Sequence, residues 1–370
     1  MSETIKGLDS FSETYAAAKR KFSEACETAQ GTLYSYRHPE AVDPDGEPLF
    51  IHVATWGVLK ASNALLIISG THGAEGYTGS AAQIALMQSG VLANLPEDVS
   101  VVLVHGLNPY GFAHSTRTNE NNVDINRNFI DFSKPLPENR AYLELHPFLC
   151  PEQWNPQTKA EADEAIERWI EANGREAWTE CIMKGQYEVP SGLQYGGQAA
   201  QWSSDSLREI LAKHLPAVKK LGFIDWHTGL GQPGEPFFLC FSERGSPEWL
   251  RACEWWSVQA IENDDGYDGS DRPPYNGLVF YGVRDAMPQA AVTGAVVEFG
   301  VLPLKETFDQ LRIDRWLRFG DVSGDAVQLA QLRRQVHEAF TSADPAWRSQ
   351  VIAHAQQIQL AALEGLKAWT

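Results

Sequence analysis

Residues 64–69, Ala-Leu-Leu-Ile-Ile-Ser, form an unbroken apolar run that ends in the turn Gly70-Thr71-His72-Gly73-Ala74-Glu75-Gly76. A run that is apolar at every position, rather than at every second one, marks a strand buried on both faces, as parallel strands are. The glycines let the turn fold tightly and bring its backbone close to a neighbour. A helix is expected over about residues 79–90, and residues 100–105, Ser-Val-Val-Leu-Val-His, supply the next strand. Strand, loop, helix and strand in that order specify an α/β sheet. They also set a histidine and a glutamate at the carboxyl end of a strand, where open α/β sheets bind ligands.

The rest of the chain extends this pattern. Residues 7–28 read as an amphipathic helix with Leu8, Phe11, Tyr15, Ala18, Phe22 and Ala25 on one side. Strands are expected at 32–36, 50–56, 222–227, 236–242 and 295–299, and helices near 205–220 and over 247–263. Residues 130–200 differ: a Pro-rich connection, a charged helix near 157–173 and the stretch Ser191-Gly192-Leu193-Gln194-Tyr195-Gly196-Gly197 read as an insertion or lid. The tail over 325–370 reads as a helical extension, two helices broken near 342–345, for packing or an oligomer contact.

Charge limits the partners. Lys and Arg total 30 against 48 Asp and Glu, a net charge of -18. A field of that sign repels phosphate backbones and anionic lipid, so no nucleic acid and no membrane partner is expected. No basic start followed by an apolar run opens the chain, and no stretch approaches the roughly 18 apolar residues of a membrane helix. Cys26, Cys150, Cys181, Cys240 and Cys253 are odd in number and contain no C-x-x-C pair. Reduced thiols and a cytoplasmic location fit this usage.

Four features carry chemistry. His72 and Glu75 are three residues apart in the Gly-rich turn, close enough to converge on one ion. Alone that is weak, because a histidine there can simply hydrogen-bond the backbone. His227 ends a second apolar strand, in Asp225-Trp226-His227-Thr228-Gly229, at the same edge of the expected sheet. Two histidines and one carboxylate, with a position left for water, form a common catalytic zinc set. Glu298 stands in the apolar strand Val296-Val297-Glu298-Phe299-Gly300, where an unpaired carboxylate is costly. A salt bridge to a buried arginine is the plainer account of it. Between these lie Asn108-Pro109-Tyr110-Gly111-Phe112, Arg117 and Asp124-Ile125-Asn126-Arg127-Asn128-Phe129. Arginine suits bidentate carboxylate binding and oxyanion stabilisation, although a lone arginine is more often a surface charge.

Taken in order, H-x-x-E, N-P-x-G-F, an Arg, D-x-N-R-N-F, a strand-end His and a Glu in an apolar strand resemble the M14-like zinc carboxypeptidases. The chain looks like their bacterial DUF2817 branch, related to the aspartoacylase/succinylglutamate desuccinylase group. The motifs span about residues 70–300. The resemblance implies a single catalytic domain over 1–370, with a mixed, mostly parallel sheet flanked by helices on both faces. It implies one zinc ion held by His72, Glu75 and His227, Glu298 as general base and acid, and Arg117 polarising the scissile carbonyl. Asn126 and Arg127 match the pair that grips a terminal carboxylate. For the family's mobile tyrosine, Tyr275 and Tyr281 are both candidates, Tyr275 at the nearer spacing. Asp225 is either a second support for a ligand or a strand-end cap.

The expected activity is hydrolysis of an amide or peptide bond next to a free carboxylate, on a small peptide or an N-acyl amino acid. An aspartoacylase-like deacylase is the alternative. A non-catalytic carboxylate-binding protein is disfavoured because all four key positions are filled. No G-x-S-x-G elbow supports a serine hydrolase. Gly229-Leu230-Gly231-Gln232-Pro233-Gly234 fits G-x-G-x-x-G but leads into another strand rather than the helix a dinucleotide needs. His105 reads as a strand-end residue, and His114 and His146 as surface or rim residues. A homo-oligomer is compatible with the sequence.

Overall fold

The computed structural model describes residues 8–262, 274–322 and 325–369. Among them, seven strands form one mixed sheet: β1 (Thr32–Val42), β2 (Pro48–Trp56), β3 (Asn63–Ser69), β4 (Val99–His105), β5 (Lys220–Pro233), β6 (Pro236–Leu239) and β7 (Ala291–Gly300). Their order is β1-β2-β4-β3-β5-β7-β6. β4, β3, β5 and β7 are parallel neighbours, while β2 and β6 run against them at the two sides. Every residue of β3 and β4 is buried, as their unbroken apolar runs require.

Alternation along the strands sorts side chains onto two faces. Leu221, Phe223 and Val296 join one core, covered by helices Trp202–His214 and Val279–Ala286. Ile224, Trp226, Val297 and Phe299 join the other, covered by helices Tyr15–Thr28, Gly76–Gln88, Pro247–Trp256 and Pro345–Ala368. Trp226 stacks on Phe299 with ring centroids 5.7 Å apart. The same alternation puts Asp225 and His227 on the first face. The parallel register sets Glu298 directly beside His227.

Local chemistry accounts for where elements depart from the sequence reading. The helix expected over 205–220 ends at His214, because Pro216 disfavours helical backbone just before it. The helix expected over 247–263 breaks at Ser257, whose φ is 77°. The first helix starts at Tyr15, capped by the Thr14 hydroxyl accepting from Ala17 N, with a separate 3-10 turn at Leu8–Ser10. β5 continues past His227 to Pro233, so the G-x-G-x-x-G stretch lies in the strand and its turn to β6. It opens no helix.

Residues 130–200 contain helices Arg140–Leu149, Pro156–Asn173 and Arg175–Met183, which share a small core with Phe308 and Leu311 of helix Leu304–Phe319. Buried Arg312 ties the same two units through Asp163 at 2.6 Å. The tail forms helices Ala326–Phe340 and Pro345–Ala368, and the second supplies Trp347, Val351, Ala355, Ala362 and Leu366 to the main core. Each such buried side chain contributes about 1.5–3 kcal/mol if large and less for alanine.

The turn after β3 is locked by backbone. Gly70 and Gly106, both with φ 69°, bring the ends of β3 and β4 together: Leu107 N donates to Ser69 O at 3.0 Å and Asn108 N to Gly70 O at 2.8 Å. Gly73 N and Ala74 N donate to Arg117 O and Thr116 O at 3.1 and 3.0 Å. A Cβ on Gly73 would lie 1.9 Å from the carbonyl carbon of Gly111. Overpacking a rigid site usually costs about 1–3 kcal/mol, and here the obstacle is backbone. Gly73→Ala should therefore cost about 3 kcal/mol or more in urea unfolding. An unchanged midpoint would show that the turn is looser than described.

Candidate metal centre

His72, Glu75 and His227 come together at the carboxyl edge of the sheet, all buried, with one ligand atom of each lying within 4.8 Å of the others. His72 Nδ1 is 3.0 Å from Glu75 Oε1 and 3.0 Å from His227 Nδ1, and His227 Nδ1 is 3.0 Å from Glu75 Oε2. Tetrahedral zinc with nitrogen ligands at about 2.05 Å sets those ligands about 3.3 Å apart. A slight expansion of this cluster would admit such an ion.

The far nitrogens of both rings decide how the near ones are presented. His72 Nε2 lies 3.1 Å from Asp124 Oδ1, and His227 Nε2 lies 3.0 Å from Asp225 Oδ2. The second contact is an ion pair rather than an aligned hydrogen bond. Asp225 is braced in turn by the Thr71 hydroxyl, 2.9 Å from Oδ1. A carboxylate behind each ring holds the proton on Nε2 and leaves Nδ1 as the electron-pair donor. Both Nδ1 atoms face the same point.

Electrostatics match this arrangement. Burial would raise the Glu75 carboxyl, but His72 and His227 hold it below the usual carboxylate range. Burial would lower His227, but Asp225 and Glu75 hold it well above the ordinary histidine value. Asp124 is held low against its burial by Arg117 and His72. Glu298 behaves in the opposite way. Burial and the nearby Glu75 charge push it up to about 7, with His227, His72 and Arg117 opposing. Its Oε2 accepts from Leu230 N at 3.3 Å.

A cavity of about 110 Å³ opens from the ligands. His72, Glu75, Arg117, Asn126, Arg127, Tyr275 and Glu298 line it, with Met183, Leu239, Phe241, Leu278 and Phe340 as apolar wall. Arg117 spans Asp124 Oδ2 at 3.0 Å and Glu75 Oε1 at 3.3 Å. Arg127 is 3% exposed; its Nη1 donates to Asn126 O at 2.7 Å, and its Nε has no partner. Among the described residues no carboxylate lies within 4.0 Å of its guanidinium. Asn126 Oδ1 accepts from Val279 N at 2.9 Å, which leaves its Nδ2 as a donor.

A profile described as "Protein of unknown function (DUF2817)" matches residues 11–354. The chain belongs to the DUF2817 family. No curated protein matches it. Similar solved structures include carboxypeptidase A from Helicoverpa armigera, at 13% identity and TM-score 0.45, covering 90% of this chain and 75% of that one. A candidate metallopeptidase from Shewanella denitrificans shares 15% identity at TM-score 0.43, covering 92% of this chain and 90% of that one. A candidate succinylglutamate desuccinylase/aspartoacylase family protein from Shewanella amazonensis shares 18% at TM-score 0.36, covering 77% and 70%.

In this DUF2817 chain, His72, Glu75, Arg117, Asn126, Arg127, Tyr275 and Glu298 line one cavity, and His227 contacts His72 and Glu75 without lining it. Tyr275 lines the cavity, its ring 5.5 Å from the Arg127 guanidinium. Tyr281 packs instead against Phe241, Phe280 and Arg284. His105 bonds Ser80, His114 bonds Val42 O and His146 sits by Tyr142, all away from the ligands. Sequence reasoning missed Asp124 and Thr71. Asp124 stood in the D-x-N-R motif without a role, and its signal was only its place two residues before Asn126.

Two outcomes follow for the metal. Asp124→Asn should weaken zinc affinity about 10–100-fold in chelator competition while the fold persists; unchanged affinity would remove Asp124 from the site. In the metal-free protein His227 carries a proton up to its raised pKa, and an ion must displace it. Zinc affinity should therefore rise with pH, and zinc titration calorimetry should show an enthalpy that varies with the buffer's ionisation enthalpy. A buffer-independent enthalpy would contradict the protonated cluster.

Proposed function

We propose that the chain is a zinc-dependent hydrolase that cleaves an amide bond next to a free carboxylate. The reading rests on one observation above all: two imidazoles, each backed by a carboxylate, aim Nδ1 at the same point as Glu75, beside a cavity that Glu298 and Arg127 line. His72, Glu75 and His227 would hold the ion. When bound, zinc supplies Lewis-acid chemistry, polarising the scissile carbonyl and making water a usable nucleophile near neutral pH.

The chain's own residues supply the rest. Glu298, with a carboxyl pushed up to about 7, is suited to take the attacking water's proton and hand it to the leaving amine. Arg117 spends Nε and Nη1 on Asp124 and Glu75 and has donors left for the carbonyl oxygen as charge develops there. Arg127 is a buried cation with no carboxylate ion pair among the described residues, and an orphan Nε calls for an anion from outside. With Asn126 Nδ2 it would clamp the substrate's carboxylate and lay the amide over the metal ligands. Tyr275 would close over that carboxylate beside Arg127. The apolar wall of Met183, Leu239, Phe241, Leu278 and Phe340 would take an apolar side chain.

N-acetyl-leucyl-phenylalanine is a suitable substrate probe. Glu298→Gln should lower kcat on it by about 10²–10⁴-fold with zinc still bound; normal turnover would exclude Glu298 from the chemistry. Arg127→Ala should raise KM for this acid far more than for its C-terminal amide. An equal change for both would end the clamping role.

A further inference from the structure

Gln194 lies in the loop between helices Arg175–Met183 and Trp202–His214, and its φ is 52°. That left-handed conformation is uncommon for a residue other than glycine, asparagine or aspartate. Glycine stands at 192, 196 and 197, yet this position carries a long polar side chain. The loop holds it in place. Leu193 N donates to Tyr142 Oη at 2.6 Å, Gln186 N to Gln194 O at 3.1 Å and Asp124 N to Tyr195 O at 2.8 Å. Backbone strain persists where the surroundings over-determine it, and it collects at ligand sites.

Gln194 is 8% exposed, and among the described residues no hydrogen bond reaches its amide. Neither amide atom is sealed off. The residue lines the metal-site cavity and also a smaller one of about 20 Å³, bounded by Arg117, Asn122, Asp314 and Arg315. The smaller space holds about one water. With no hydrogen-bond partner among the described residues, the amide takes its partner from water or from a ligand in these cavities. Arg117 borders both cavities. Gln194 shares both linings with Arg117, and if Arg127 and Asn126 hold the substrate's carboxylate as proposed, Gln194 and Arg117 are left for the acyl side of the scissile bond. An amide offers both donors and an acceptor, the complement of a peptide unit; an anion would go to the arginines.

We infer that Gln194 contacts the substrate, pairing with the peptide unit on the acyl side of the scissile bond. The substrate is then a peptide rather than a simple N-acyl amino acid. This inference rests on the reading of the cavity as a site for carboxylate-ended amides.

The test uses the zinc-loaded full chain carrying Glu298→Gln, so that ligand is not consumed. Calorimetry compares N-acetyl-leucyl-phenylalanine with 4-methylpentanoyl-phenylalanine, which keeps the side chains and lacks the acyl-side peptide unit. The expected result is a preference of about tenfold for the first, the worth of one or two net hydrogen bonds. Gln194→Met, which keeps the stem and removes the polar atoms, should abolish that preference. Gln194→Gly should abolish it too while keeping or raising the melting temperature, because glycine relieves the strained φ. The same preference in Gln194→Met, no preference in the parent, or no binding of either ligand would overturn the inference. Turnover by the chain with Glu298 intact is read separately. Binding preference without turnover would sink the hydrolase reading and leave the Gln194 contact standing.

Discussion

Two imidazole nitrogens of the same kind, Nδ1 of His72 and Nδ1 of His227, face each other 3.0 Å apart in the protein interior, and the site is arranged around that encounter. Both cannot carry a proton there without strong repulsion. Glu75 closes the triangle with one oxygen to each ring, while Asp124 and Asp225 lie against the outer nitrogens at 3.1 and 3.0 Å. The arrangement balances around a proton shared by the cluster, and it would balance better around a divalent cation. The same charges set Glu298 apart. It lies beside His227 in the sheet yet among the described residues forms no ion pair, and burial with the nearby Glu75 charge raises its carboxyl to about 7.

The sheet makes this economical. Parallel strands end at one edge, so short turns after β3, β4, β5 and β7 all arrive at the same place. Gly70 and Gly106 pull two of those turns into direct backbone contact, and the segment that carries Arg117 lies against the His72 turn. The two arginines then divide the work by their surroundings. Arg117 is neutralised by Glu75 and Asp124, whereas among the described residues no carboxylate forms an ion pair with Arg127, and its Nε is unpaired. One is tied to the His72–Glu75–His227 cluster, and the other would be open to an anion in the proposed function.

Much of this was legible in the sequence. Unbroken apolar runs announced the buried strands, and His72, Glu75, His227 and Glu298 stood out as ionisable residues at the ends of such runs. What failed was subtler. Asp124 is one acid among 48 Asp and Glu, and nothing local reveals that it lies behind a ring 52 residues away in sequence. The sequence spacing favoured Tyr275 over Tyr281 without deciding between them, and it is Tyr275 that lines the cavity, while Tyr281 lies in the helix Val279–Ala286. Ser257 broke a helix through a positive φ that serine does not advertise. Gln194 sat unnoticed in a Gly-rich stretch, because strain and an unpaired amide exist only in three dimensions.

Metal content of the purified full chain, measured by mass spectrometry beside a His72→Ala variant, tests the central claim most directly. The account predicts about one zinc per wild-type chain and none in the variant. A wild-type chain that takes up no metal even after zinc reconstitution would contradict it, and the cluster would then be a proton-sharing network at the edge of the sheet.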